Sequence, residues 1–179
     1  MNKKIASVFT VITILLSAQV FAGEEHPLST IKGTNIDLKV YDHAFAGSIR
    51  EFVAWGAMEE GQFKSELRMR KAGQTISANF GKTEDGIGGV IQYRTESGTK
   101  QTSIFFERLD KEHQTFMLKI NGESVPVIVT SDKFVGNHFI NPTYTAQLNG
   151  EKISFTLTGQ ACYGYSLHLV MMIIGAYVS

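Results

Sequence analysis

Cysteine is nearly absent from this chain: Cys162 is the only one in 179 residues. A single thiol excludes an internal disulfide framework, so packing must hold the domain together, and a chain of this size can bury enough core to do so. Surplus charge is also missing, with 17 basic residues against 17 acidic ones. No basic excess points to nucleic acid, and no acidic tract points to disorder. Long apolar runs are scarce. Residues 169–178 carry no charge, but a spanning helix needs about 20 residues, and a run this short belongs to a buried core.

Catalytic and metal grammar is equally thin. The histidines are His26, His43, His113, His138 and His168, and no pair has zinc-ligand spacing. Neither metal nor cofactor is expected. Glu24-Glu25 and Glu59-Glu60 are adjacent carboxylates, which are usually solvated rather than paired across a reacting group. The run Asp85-Gly86-Ile87-Gly88-Gly89 lacks the Gly-Lys-Ser/Thr phosphate signature and reads as a turn or bulge before a strand. No repeat of fixed period and no linker divides the chain.

What is present begins with the N-terminus. Lys3 and Lys4 precede a mostly apolar stretch, residues 5–16, and a small-residue segment ending Val20-Phe21-Ala22. That order is the pattern of a secretory signal peptide, cleaved after Ala22. The expected organisation is a signal peptide at 1–22, a loose leader at 23–29 and a single β domain at 30–179, secreted or periplasmic. Losing Lys3 and Lys4 leaves two more acidic than basic residues.

The β assignment rests on turns and alternation. Asn121-Gly122 and Asn149-Gly150 suit type I′ hairpins, in which both central residues take φ > 0. The first turn sets Leu118 opposite Val125 and Phe116 opposite Val127. The second sets Ala146 opposite Ile153 and Tyr144 opposite Phe155, with Thr145–Ser154 and Thr143–Thr156 on the polar face. Phe63, Ser65, Leu67 and Met69 alternate with charged residues; Ile76, Ala78 and Phe80 follow, and Ile36, Leu38 and Val40 make an earlier strand. About nine or ten antiparallel strands result, a barrel or a sandwich. Lys64, Arg68, Arg70 and Thr145 on outward positions argue against a lipid-facing barrel. Residues 42–61 carry Phe45, Ile49, Phe52, Val53 and Gly56 at helical spacing, which allows one short helix around 48–60, although a strand through Val53 and Trp55 fits the same stretch.

The tail reads as one more strand. A two-residue turn at Gly159-Gln160 would set Leu157 opposite Cys162, Phe155 opposite Gly164, Ile153 opposite Ser166 and Glu151 opposite His168. Cys162 is then a small hydrophobe on the apolar face. Tyr163 and Tyr165 point outward, opposite Thr156 and Ser154. Cys162 and His168 stand too far apart on such a strand to act as nucleophile and base, and no catalytic residue is assigned.

The function expected from these features is a noncatalytic exported binding module, taking an apolar or amphipathic small molecule, a lipid or a protein partner. Its candidate contact residues are Tyr163, Tyr165 and Trp55, because exposed aromatics serve as contact residues. Two alternatives stand beside it: a hydrolase whose site is assembled from distant strands, and an envelope-associated protein that oligomerises through its C-terminal strand.

Overall fold

The structure, a computed structural model, describes residues 27–59 and 64–179. The expected signal peptide, the leader up to residue 26 and Phe63 lie outside the described residues. In chain order the first strands are β1 (Ser29–Gly33), β2 (Ile36–Val40), β3 (Ala44–Ile49), β4 (Phe52–Glu59) and β5 (Lys64–Lys71). Then come β6 (Gln74–Thr83), β7 (Gly86–Thr95), β8 (Gly98–Asp110), β9 (Thr115–Ile120) and β10 (Glu123–Thr130). The chain continues through β11 (Lys133–Val135), β12 (His138–Ile140), β13 (Thr143–Leu148), β14 (Glu151–Leu157) and β15 (Gln160–Cys162), and ends in helix α1 (Tyr163–Val178). Twelve of these strands, β1 to β10 with β13 and β14, form one closed antiparallel barrel. Closure comes from the β1–β14 ladder, in which Ile31 faces Leu157 and Gly33 faces Phe155. Strands β11, β12 and β15 make a small separate sheet.

The two ends of the barrel differ. At one end every hairpin has two connecting residues: Thr34-Asn35, Arg50-Glu51, Ala72-Gly73, Glu96-Ser97, Asn121-Gly122 and Asn149-Gly150. Both Asn-Gly pairs take left-handed φ, +49° and +93° at the first, +49° and +82° at the second. Their registers are those expected from the sequence, Leu118 to Val125 and Tyr144 to Phe155 included. The opposite end has one two-residue turn, Glu84-Asp85, alongside wider connections such as residues 41–43 and 111–114, and carries the small sheet.

Alternation sorts the side chains. Ile36, Leu38 and Val40 of β2 are buried and Asp37 and Lys39 exposed; Ser65, Leu67 and Met69 of β5 are buried between Lys64, Glu66, Arg68 and Arg70. The outer wall thus carries charge at mid-strand, the inverse of a lipid-facing barrel with its apolar outer band.

Two expectations need correction. Within the stretch around 48–60, the described residues 48–59 belong to the β3–β4 hairpin, not to a helix. Phe45 and Ile49 are four apart, which satisfies a strand period as well as a helical one. The turn at Arg50-Glu51, with Arg50 at φ +55°, then shifts the phase so that Phe52 and Ala54 face inward. The larger correction concerns the tail. It is not a strand paired with β14 but helix α1, buried along residues 166–176.

The helix threads the barrel. It touches β5, β6, β7 and β8 on one side and β13 across the lumen. Its end reaches the tight rim, where Tyr177 Oη donates to the Thr34 carbonyl and the Arg50 guanidinium lies 5.7 Å from the Tyr177 ring centre. The reason is geometric. Eight strands already leave a lumen that side chains just fill, and diameter grows with strand number, so twelve leave room for an additional element. A closed barrel has every wall backbone group engaged in ladders. A segment inside it must satisfy its own N–H and C=O groups, and a helix does that where a lone strand does not. Apolar residues on every face of the helix suit an all-round apolar wall. Leu167, Leu169, Met171, Met172, Ile173 and Ile174 are each at most 5% exposed, worth roughly 1.5–3 kcal/mol apiece in transfer free energy. Gly175 marks the tightest approach: a Cβ there would meet Ile91 Cδ1 at 2.3 Å.

Candidate functional site: a groove on the outer wall

The barrel registers assemble the site. One row across the outer wall runs Val53, Arg70, Thr75, Arg94. The next runs Trp55, Arg68, Ser77, Gln92. A third runs Ala57, Glu66, Asn79, Val90. The outward residues of β6 are short (Thr75, Ser77 and Asn79), whereas those of the flanking strands are long. The result is a trough along β6 with hydroxyls and an amide on its floor. Arg68, Arg70 and Trp55 form one bank; Val90, Gln92 and Arg94 form the other. It encloses about 650 Å³.

Its charge is one-sided. Three arginines line it, and among the described residues no carboxylate does. Arg94 Nη2 donates to Gln92 Oε1 at 3.0 Å, which fixes that bank. Arg68 Nη2 lies 3.8 Å from Glu66 Oε2, beyond direct hydrogen-bond range and about half exposed. Among the described residues neither Arg70 nor Arg94 is paired with a carboxylate. Trp55, 44% exposed, is the chain's only tryptophan.

Of the three residues singled out from the sequence, only Trp55 lies at this groove. Tyr163 and Tyr165 do not sit on an outward strand opposite Thr156 and Ser154. They belong to the first turn of α1, half-buried. Tyr163 packs edge-on against Phe139, Phe134 and Phe116, with ring centres 4.9, 5.5 and 6.4 Å away. This cluster seals the wide end of the barrel where the helix begins.

The turn at Gly159-Gln160 fails for a local reason. Asn141 holds Gly159 from both sides: its Oδ1 accepts from Gly159 N at 2.8 Å, and its own N donates to the Gly159 carbonyl at 2.7 Å. The chain is thereby led away from β14, and Gln160–Cys162 pairs with β12 instead. Cys162 is not opposite Leu157. It is the N-cap of α1, its Sγ accepting from Tyr165 N at 3.3 Å.

Inside the lumen, two polar contacts tie helix to wall. Ser65 Oγ lies 2.8 Å from His168 Nδ1, and Tyr144 Oη lies 2.7 Å from Ser166 Oγ. His168 is therefore not beside Glu151 at the surface. A serine bonded to a histidine is half of a nucleophile–base pair. Here Ser65 is 2% and His168 1% exposed, so substrate has no access to either. Among the described residues no group of three His, Cys, Asp or Glu side chains stands close enough to hold a metal ion. No helix among them is long and apolar enough to cross a membrane. Nor is the C-terminal segment an edge strand on which a second copy could add, since it is a helix inside the barrel.

The sequence reading missed Arg68, Arg70 and Arg94 as a set. Their alternation was visible, but their convergence with Trp55 depends on the β4–β7 registers. Comparison with family models, with curated proteins and with solved structures finds no match for this chain.

Proposed function

We propose that this is an exported, noncatalytic binding module that takes an amphipathic ligand or a partner on the outer wall of its barrel. The observation that carries the reading is the groove of Trp55, Arg68, Arg70 and Arg94, an open concavity with one sign of charge and an aromatic bank. Such a cleft concentrates field and attracts oppositely charged groups, while exposed Trp supplies apolar contact area with few torsions to freeze. The lumen supports no ligand role, because the chain's own helix fills it. The Ser65–His168 contact supports a tie between helix and barrel better than hydrolysis, since both groups are sealed from solvent. Export rests on the pattern of residues 1–22.

The test is native mass spectrometry on protein recovered from the exported fraction, with its first residue determined. The expected chain starts at Gly23 and carries a bound species that Trp55→Ala loses. A chain that retains Lys3 and Lys4, or an adduct unaffected by Trp55→Ala, would overturn export or site respectively.

A further inference from the structure

We infer that the groove's ligand is an acidic oligosaccharide, a linear sugar chain bearing carboxylate or sulfate groups; this rests on the binding reading above and names its chemistry. Three features of the groove select this class together. First, the floor is polar and able both to donate and to accept: Thr75 and Ser77 hydroxyls, the Asn79 amide and, beside them, Gln92. Sugar hydroxyls also do both, so a floor of this composition matches them without leaving a group unpaired. Second, the banks carry guanidiniums at intervals. Arg68 and Arg70 are two residues apart on one strand, about 7 Å between Cα atoms, and Arg70 and Arg94 are separated by one strand, about 10 Å. A guanidinium presents a planar fork that binds carboxylate in bidentate fashion. Spaced forks suit an anion with acid groups repeated along its length better than a single small ion. Third, Trp55 stands on the bank directly across the ladder from Arg68. An indole face covers the C–H face of a pyranose ring while its neighbour holds that ring's acid group.

The same geometry weighs against other anions. An acidic peptide draws much of its affinity from main-chain pairing with a free strand edge. Here β5, β6 and β7 are each paired on both sides, so the groove offers side chains only. A lipid headgroup would bring acyl chains, yet among the described residues Trp55 and Val90 are the only outward apolar ones lining the groove.

The experiment uses the mature protein and the single tryptophan as its built-in reporter. Probes are a galacturonate oligomer, a sulfated glucan oligomer, the methyl-esterified and unsulfated counterparts of each, and poly-glutamate of equal charge. Trp55 emission and titration calorimetry are read at low and high salt. At least one acidic sugar should bind saturably and shift the emission. Its affinity should fall at least about 10-fold for its uncharged counterpart, for poly-glutamate and in the Arg70→Gln/Arg94→Gln double variant. Binding of only one of the two acidic sugars identifies the acid group. Equal binding of poly-glutamate would overturn the sugar, leaving a general polyanion surface. Equal binding of the uncharged oligomer would overturn the role of the arginines. No binding of either acidic sugar would overturn the ligand class, while the mass of the native adduct independently decides whether the groove binds anything. Both arginine positions are solvent-facing, and circular dichroism of the variant checks that the barrel persists; Arg70→Lys, which keeps the charge and loses the fork, should bind with intermediate affinity.

Discussion

Ser65 and His168 are 103 positions apart in the chain and 2.8 Å apart in space, one on the barrel wall and the other on the helix inside it. The contact lies in a largely apolar lumen, where a polar group left without its partner costs about 1–3 kcal/mol. It sets both the depth and the rotation of the helix, because apolar packing alone distinguishes poorly between neighbouring registers of an all-round apolar helix.

Removing both members should therefore cost less than the two single removals added together. Ser65→Ala is expected to lower stability by about 1–3 kcal/mol in urea unfolding. The Ser65→Ala/His168→Leu pair should cost less than the sum of the single changes, since the apolar replacement suits the lumen. Emission of Trp55 in the folded state should be unchanged. A catalytic activity that vanishes in Ser65→Ala with stability intact would instead place the protein among the enzymes.

Cys162 acts as a cap rather than as core filling, and serine distinguishes the two roles. A serine hydroxyl is a better N-cap acceptor than a thiol, so Cys162→Ser should be neutral or stabilising, whereas Cys162→Ala should lose about 1 kcal/mol. Were the thiol buried on an apolar face, serine would be the more damaging change. Thermal unfolding of the two variants decides.

Tyr144 should make the barrel sensitive to alkali. Burial pushes its phenol above the ordinary value of 10.0, with the Ser166 hydrogen bond opposing in part. Folding favours the neutral form, so the stability this contributes is complete below about pH 10. It is lost as pH rises from there through the higher folded value. Stability should fall with pH above about 10, and Tyr144→Phe should flatten that slope. Tyrosinate absorbance in the native state should rise with Tyr144 silent until the barrel opens.

Much of the wall was legible in the sequence. The two Asn-Gly turns specified their own registers, since both central residues tolerate the left-handed φ of a type I′ turn, and the period of two then placed every neighbour. Tyr144 opposite Phe155 and Phe116 opposite Val127 followed from that alone. The hairpin at Arg50-Glu51 did not announce itself, because arginine is an uncommon residue at positive φ. Thr34-Asn35 was likewise passed over, although Asn35 at φ +58° is the kind of residue such a turn uses.

Local pattern thus determined the antiparallel strands, their inward and outward faces, the charge on the outer wall and the apolar character of residues 169–178. Only the tertiary structure decided that the ring closes at twelve strands. An apolar run without a period is ambiguous between buried strand and buried helix. Closure resolved it, by using up the wall's backbone partners and leaving a lumen as wide as a helix. The groove was decided at the same level. Trp55, Arg70 and Arg94 lie on three different strands, and a one-residue slip in any ladder would have turned one of them inward.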